Sequence, residues 1–441
     1  MTRYRFHEIV RQYAHAKLIE ASEEDKVRTR HLKYFLQLSG EAEPALKGPV
    51  QIEEWMARLN EERDNLRAAL RWADKTDVEA GLYISGRLQG FWESLNVDEG
   101  ARWITKFLGK PESNEYPHAK AKALYALGVL LLWSEEFAQA TSVAQECLTL
   151  FRACKDQQGE VDALILLGHD LQYLDKRESA DELYEQSLAL ARSMGDIRRQ
   201  ALAFFRLGYD RPDRQLAYWE KAIALFRQVD DRSSMASLLC ATARFRILLT
   251  GDIETAQKDL DEASQFGPLR GRNIGGLWEE AAFAKSLIAL MRGDYEQAAA
   301  LLEETVILAE ELGNRMGYFW TRVQLGYIAL RAGNLAEART IFAETAQNFQ
   351  KDDNTIGVVF TLEGLAGLSV AVGKPEHAAT LIGWTDATRE RIINPRPFLE
   401  QANVDRGIVA CLVRMGEVAF SDAYDAGKKM TLDEAVAYSL A

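Results

Sequence analysis

Cysteine is scarce, and the four present, Cys147, Cys154, Cys240 and Cys411, are scattered through 441 residues. No pair has metal-ligand spacing, and Cys147 and Cys154, seven apart, fall on one helix face as small hydrophobes would, which fits a reducing cytoplasm. Histidine is as sparse. The six residues are never closer than eight positions, and His-Glu-x-x-His is absent, so no metal site is expected. Nothing reads Gly, four residues, Gly-Lys-Ser/Thr, which removes the phosphate cradle of a P-loop ATPase, and Gly-x-Ser-x-Gly does not occur. "GRNIGG" at 271–276 is glycine-rich but follows a helical pattern instead of a strand, so it reads as a loop and not a dinucleotide site. The longest apolar runs, such as Ala123 to Trp133, fall far short of the roughly 20 residues that span a bilayer, and the first ten residues lack a signal core. A net charge of −13 repels nucleic acid, so direct binding to it is not expected. Only nine prolines, and no long Val/Ile/Thr-rich alternation, leave little room for a sheet.

What is present is a repeat. "LGYIALRAGNLAEA" places Gly326 late in one apolar helix, a tight turn at Gly333-Asn334, and Ala338 early in the next helix. The same twelve-residue step recurs from Gly128 to Ala140, Gly168 to Ala180, Ser286 to Ala298 and Ala366 to Ala378. Gly128, Gly168 and Gly208 are 40 apart, and the turn glycines Gly251, Gly293, Gly333 and Gly373 follow at 42, 40 and 40. Fixed periods of this size mean stacked supersecondary units, and apolar spacings of three and four make each unit a helical hairpin. Seven hairpins are counted. A small residue on each of the two helices is expected to let their backbones approach closely.

The spacing also marks an irregularity. Tyr184 aligns with Trp219, a step of only 35, so the turn after Gly208 is expected to have lost five residues, and Arg244 stands where a small residue belongs.

The Leu-Gly pairs at Leu127, Leu167, Leu207 and Leu325, with the alanines Ala140, Ala180, Ala256, Ala298, Ala338 and Ala378, resemble the tetratricopeptide repeat in a longer form. That likeness implies an all-α, right-handed superhelical solenoid of hairpins with a period of about 40. A solenoid grows by adding units, which is how a chain of this length avoids needing one large core.

At the N-terminal end, Tyr4 and Phe6 alternate with Arg3 and Arg5 like one strand of a sheet, which suggests a chain beginning partway through a larger protein. "RYRFHEIVRQYAHAKL", "RTRHLKYFLQLSGEAEPALKGP" and "WMARLNEERDNLRAALRWA" resemble the junction after the winged helix in bacterial signal-transducing ATPases of the STAND class, the LuxR-type and antibiotic-regulatory-type regulators. "AATLIGWTDATRERI" and "AFSDAYDAGKKMTLDEAVAYSLA" resemble the segment closing their repeat arm. The expected divisions are a winged-helix remnant at 1–36, a helical connector at 37–118, hairpins over 119–392 and a helical cap at 393–441. About three helices are expected over 51–108, a linker at 109–118, and a break at "INPRPF".

The first helix of each hairpin should line a concave face, with the residues six and three before the small position, and one, four and five after it, pointing inward. This places Lys122, Tyr125, Trp133, His169, Tyr173, Phe205, Tyr209, Phe245, Phe283, Trp320 and Tyr327 in a candidate groove, with Arg206 and Arg322 beside them. Aromatics give contact area at low entropic cost, and also serve as ordinary core at helical spacing. The expectation is a non-catalytic sensor arm, without a cofactor, that takes a protein, a peptide or a small inducer and passes that event to an ATPase core outside this chain. The alternative is a free-standing adaptor using the same face.

Overall fold

The computed structural model describes residues 8–441 apart from 48–51, 135, 175, 210, 212, 267–276, 313–314 and 393. The alternating stretch at 3–6 and the loop at 271–276 therefore lie outside the described residues. Among these residues every regular element is helical: twenty-four α-helices and one short 3-10 turn. The chain divides into two compact units, Met1–Ser234 and Met235–Ala441.

The first unit opens with α1 (Glu8–Glu20), α2 (Glu24–Lys47), α3 (Ile52–Glu61), α4 (Arg63–Thr76), α5 (Val78–Arg87), α6 (Gln89–Leu95) and α7 (Val97–Leu108). Three hairpins follow: α8 (Pro117–Trp133) with α9 (Phe137–Ala153), α10 (Gln157–Tyr173) with α11 (Arg177–Ser193), and α12 (Ile197–Gly208) with α13 (Gln215–Gln228). The second unit carries four more: α14 (Arg232–Thr250) with α15 (Ile253–Ser264), α16 (Leu277–Arg292) with α17 (Tyr295–Leu312), α18 (Arg315–Ala332) with α19 (Leu335–Lys351), and α20 (Thr355–Ala371) with α21 (Pro375–Arg391). It closes with α22 (Phe398–Met415), α23 (Glu417–Gly427) and α24 (Leu432–Leu440). The seven hairpins stand where the period put them.

Local chemistry accounts for the repetition. Gly251, Gly293, Gly333 and Gly373 all turn with φ between 72 and 84°, a conformation that costs a side-chain-bearing residue about 1 kcal/mol or more. Between hairpins, the carboxylates of Asp156 and Asp196 and the amide of Asn354 accept from the backbone N–H of Gly159, Arg199 and Gly357. Each such N-cap is worth about 1 kcal/mol.

The glycines at the small positions do something besides bring two backbones together. A Cβ at Gly168, Gly208 or Gly326 would sit 2.5 Å, 2.8 Å and 2.7 Å from the rings of Tyr184, Trp219 and Phe342. Each glycine is the floor on which a buried aromatic of the second helix lies. Close approach to the second helix's backbone also occurs at small positions, since a Cβ at Gly208 would lie 3.2 Å from the Gln215 carbonyl and Ser286 donates to the Ala298 carbonyl at 2.9 Å; it is tightest in the cap, where a Cβ at Gly383 would be 2.0 Å from the Tyr424 carbonyl, and one at Gly427 would be 1.9 Å from that of Thr380.

Other expectations change. The 51–108 region holds five helices and not three, because Asp77 and Asn96 restart the helix by accepting from Ala80 N–H and Glu99 N–H. The 109–118 stretch is a packed turn and no free linker: Pro111–Glu115 is a 3-10 turn, Ser113 is buried and donates to the Leu108 carbonyl, and Lys110 pairs with Asp74. α2 runs through residue 36 without a break. Tyr13 of α1 is 64% exposed. The five residues missing from the third unit come out of a helix and not a turn: α12 has 12 residues where α8 and α10 have 17. The division between the two compact units falls soon afterwards, in the first turn of α14.

The string Asp64 to Leu70 acts structurally. Leu66, Ala69 and Leu70 are buried, while Arg67 donates through Nε and an Nη to both oxygens of the buried Glu99 at 2.6 Å. Arg63 adds a third contact at 3.2 Å. The Arg67 guanidinium holds the Glu99 carboxyl down at about 2, so α4 and α7 are tied by a charge that persists well into the acid range.

Gly326→Val forces the Phe342 ring off its floor, and the expected loss is about 1–3 kcal/mol in chemical denaturation. A variant as stable as the wild type would show that the ring does not depend on that glycine.

Candidate ligand-binding site

Several of the positions chosen from the sequence pack against the core, Tyr125 in the first unit and Trp320 and Tyr327 in the second. Lys122, Tyr125, His169, Phe205, Phe245, Phe283, Trp320 and Tyr327 are half-buried, and Tyr209 is exposed. Trp133 and Tyr173 are 59% and 57% exposed, at equivalent positions of successive hairpins. They divide between the two units.

In the first unit, Tyr173 stacks on Phe137 with centroids 4.7 Å apart and meets His169 at 5.0 Å. Burial and the nearby Arg206 keep the His169 imidazole neutral. Phe205 meets Tyr209 at 6.0 Å, with the Arg206 guanidinium over the Phe205 ring. Lys122 donates to Glu43 at 3.2 Å, so its charge is already matched. In the second unit, Arg244, where a small residue was expected, lies over Phe245 and Phe283 and donates to both carboxylate oxygens of Glu280. Arg322 is paired with Glu344.

Tyr327 and Trp320 lead to a feature that hairpin periodicity did not reveal. Trp320 packs edge-on to Phe360 at 5.4 Å, and Tyr327 donates to the Phe360 carbonyl at 2.7 Å. Tyr327 lines a cavity of about 190 Å³ within the second unit. Leu330 and Arg331 of α18, Glu363, Ala366 and Gly367 of α20, Ile382 of α21, and Glu400, Asn403, Val404, Arg406 and Gly407 of α22 complete it.

A charge cluster holds its walls. Glu363, 4% exposed, sits in the apolar run "VVFTLEGLAGLSV" and accepts from Arg389 at 2.7 and 3.0 Å and from Arg396 at 2.8 Å. Arg396 also donates to Asp386 at 2.6 Å, and Tyr424 donates to the other oxygen of Asp386. Two guanidinium groups thus meet two carboxylates, and the cluster is neutral. Arg396 reaches it because Pro395 and Pro397 hold its backbone out of helix between α21 and α22.

Two groups on the cavity wall, the buried Glu400 and the half-buried Arg331, lack an ion-pair partner among the described residues, and the exposed Arg406 lies beside Arg331. Glu400, 7% exposed, has an oxygen, Oε2, without a hydrogen-bonding partner among the described residues. Burial, with the Glu363 charge adding to it and Arg389 and Arg396 opposing, pushes its carboxyl up to about 7. Arg331 and Arg406 both donate to one acceptor, Asn403 Oδ1, and no ion pair joins either to a carboxylate among the described residues. Desolvation and the neighbouring Arg406 lower the affinity of Arg331 for its proton. A lone buried carboxylate and a half-buried guanidinium without a counter-ion each oppose folding, so this arrangement is tuned for something other than stability. The sequence signals were there in outline: a single acid inside a wholly apolar helix, and an arginine between two prolines.

Among the described residues no helix is long and apolar enough to cross a membrane, and no cluster of three or more His, Cys, Asp or Glu could hold a metal.

The fold and cavity define a helical-repeat chain with a mainly apolar cavity in its second unit that carries a few acidic and basic side chains. No family model matches the chain. It is 23% identical, across 99% of its length, to proteins named as HTH-type transcriptional regulators from Mycobacterium tuberculosis and Mycobacterium bovis. The chain spans 58% of the length of these relatives and is a distant homologue of such regulators. Among solved structures, the apo form of the quorum sensor NprR from B. thuringiensis is 15% identical, with 78% of this chain and 94% of that one covered at a TM-score of 0.48. A circular tandem repeat protein is 13% identical, with 94% and 96% covered, at a TM-score of 0.20.

Glu363→Gln removes one side of a buried pair set, and the expected cost is about 3–5 kcal/mol in denaturant, against near neutrality if the cluster were solvated. Glu400 behaves in the opposite sense to Glu99. Its folded carboxyl keeps a proton that the unfolded one releases above 4.5, so wild-type stability falls between pH 4.5 and about 7 by something on the order of 3 kcal/mol. Glu400→Gln should therefore be more stable than wild type at pH 8, with the advantage gone by about pH 4.5. A pH-independent difference would contradict the burial of that acid.

Proposed function

We propose that this chain is the non-catalytic sensor arm of a cytoplasmic HTH-type transcriptional regulator, of the signal-transducing ATPase kind that its ends resemble, and that a small inducer occupies the cavity between α18, α20 and α22. The observation that carries this reading is the unpartnered Glu400 oxygen facing a cavity that also holds two guanidinium groups without counter-ions. An apolar repack would stabilise the fold, whereas a ligand with complementary groups satisfies these groups at once. The distant likeness to HTH-type regulators supports the regulatory context.

Occupancy acts on helix positions. α22 contributes Glu400, Asn403 and Arg406 to the cavity, and α18 and α20 contribute the opposite wall. A ligand that draws these together favours one arrangement of the α18–α22 layer over another, and the regulator reads the difference. The alternative, an adaptor that binds protein partners, draws on Trp133 and Tyr173, two large aromatics exposed at equivalent positions of the first unit.

A thermal-shift screen of the chain against metabolites, nucleotides and peptide pools tests the reading, run in parallel on Glu400→Gln and on Trp133→Ala/Tyr173→Ala. A compound at about 100-fold over its Kd should raise the midpoint by about 5 °C in the wild type and in the aromatic variant, and far less in Glu400→Gln. A shift lost only in the aromatic variant would move recognition to the first unit. No shift from any compound would sink the small-inducer reading in favour of the adaptor.

A further inference from the structure

The cavity in the second unit offers an acid and a basic pair, and both are open. Resting on the sensor reading above, we infer that its occupant is a small zwitterion, an α-amino acid or a close relative, whose ammonium donates to Glu400 Oε2 and whose carboxylate is held by Arg331 and Arg406.

Each half of the ligand follows from a separate observation. Glu400 Oε2 is buried, lines the cavity and has no donor among the described residues, although Arg389 and Arg396 lie close enough for their charge to be felt. Those two guanidinium groups are committed to Glu363, Asp386 and Asn394. A donor from outside the protein would satisfy that oxygen, and an ammonium pairs directly with the carboxylate form. On the other side, Arg331 and Arg406 share the Asn403 amide oxygen, an uncharged acceptor serving two cations. An anion placed there would relieve their mutual repulsion, and a carboxylate matches the planar guanidinium fork.

The two halves also stand in one cavity. Glu400, Arg331 and Arg406 all line this one cavity, Arg331 from α18 and the other two from α22. Between them the wall is apolar, with Leu330, Ile382 and Val404, and Gly367 leaves room beside Leu330. A cavity of about 190 Å³ is on the scale of a single small molecule. A monoamine would leave the arginines unmatched, and a simple anion would leave Glu400 unmatched.

Binding is coupled to a proton. The ammonium needs the charged form of Glu400, so near pH 6.5 uptake should release a fraction of a proton, and the calorimetric heat should change with the ionisation heat of the buffer. The groups facing Glu400 in this balance are Glu363, Arg389, Arg396 and Arg331.

Isothermal titration of the full chain with each common L-amino acid is the test, followed by the methyl ester and the deaminated analogue of the best binder. The expected result is saturable binding by one or a few aliphatic amino acids, weakened at least about tenfold in either analogue. Glu400→Gln should weaken the amino acid by a similar factor while leaving the deaminated analogue unaffected. Arg331→Gln should weaken the amino acid while leaving the methyl ester unaffected. Circular dichroism melting confirms that both variants fold. Binding that survives in both variants, or an ester or deaminated analogue that binds as well as the parent, overturns the inference. If no amino acid binds but another metabolite shifts the wild type and not Glu400→Gln, the zwitterion is wrong and the sensor reading stands. If nothing of any class binds the wild type, both are wrong.

Discussion

A buried aromatic ring lying on a glycine is the contact on which these hairpins depend. Tyr184 on Gly168, Trp219 on Gly208 and Phe342 on Gly326 each fill the space that a Cβ would take. The ring buries a large apolar surface between two antiparallel helices, and the glycine accepts a modest loss of helix propensity in return. The contact recurs in three of the seven hairpins, α10–α11, α12–α13 and α18–α19. Phe151 on Gly159 and Phe349 on Gly357 carry the same device across the junction from one hairpin to the next.

Where the repeat is disturbed, the structure changes. The shortened α12 brings Trp219 onto Gly208 after eleven residues, where Tyr184 meets Gly168 after sixteen. The contact itself is kept while the helix loses more than a turn. The two compact units part company just beyond, at the start of α14.

The second unit ends differently from the first. Its cap is held by carbonyl contacts at Gly383 and Gly427 and by a charge cluster of Glu363, Asp386, Arg389 and Arg396. That cluster is internally neutral and rigid, and it leaves Glu400 and the Arg331–Arg406 pair on a shaped wall without ion-pair partners among the described residues. Rigid support with open valences is the arrangement expected of a recognition site built on helices.

Much of this could be read in advance, and the boundary is physical. Seven hairpins, their period, the left-handed turn glycines and the half-exposed aromatic face follow from spacings of three, four and about forty, because helix geometry turns sequence distance into direction. The five helices over 52–108 were harder to see, since Asp77 and Asn96 interrupt the helix through local side-chain hydrogen bonds that apolar periodicity does not register. The charge pairing around the cavity could not be read from spacing. Glu363 lies 26 and 33 positions from Arg389 and Arg396, and Arg331 lies 72 from Asn403. Sequence alone determined the scaffold, since a hairpin is made by neighbours. Only the tertiary structure decided which charges are satisfied and which are left open, because electrostatic matching depends on distance in space between groups whose separation along the chain carries no information.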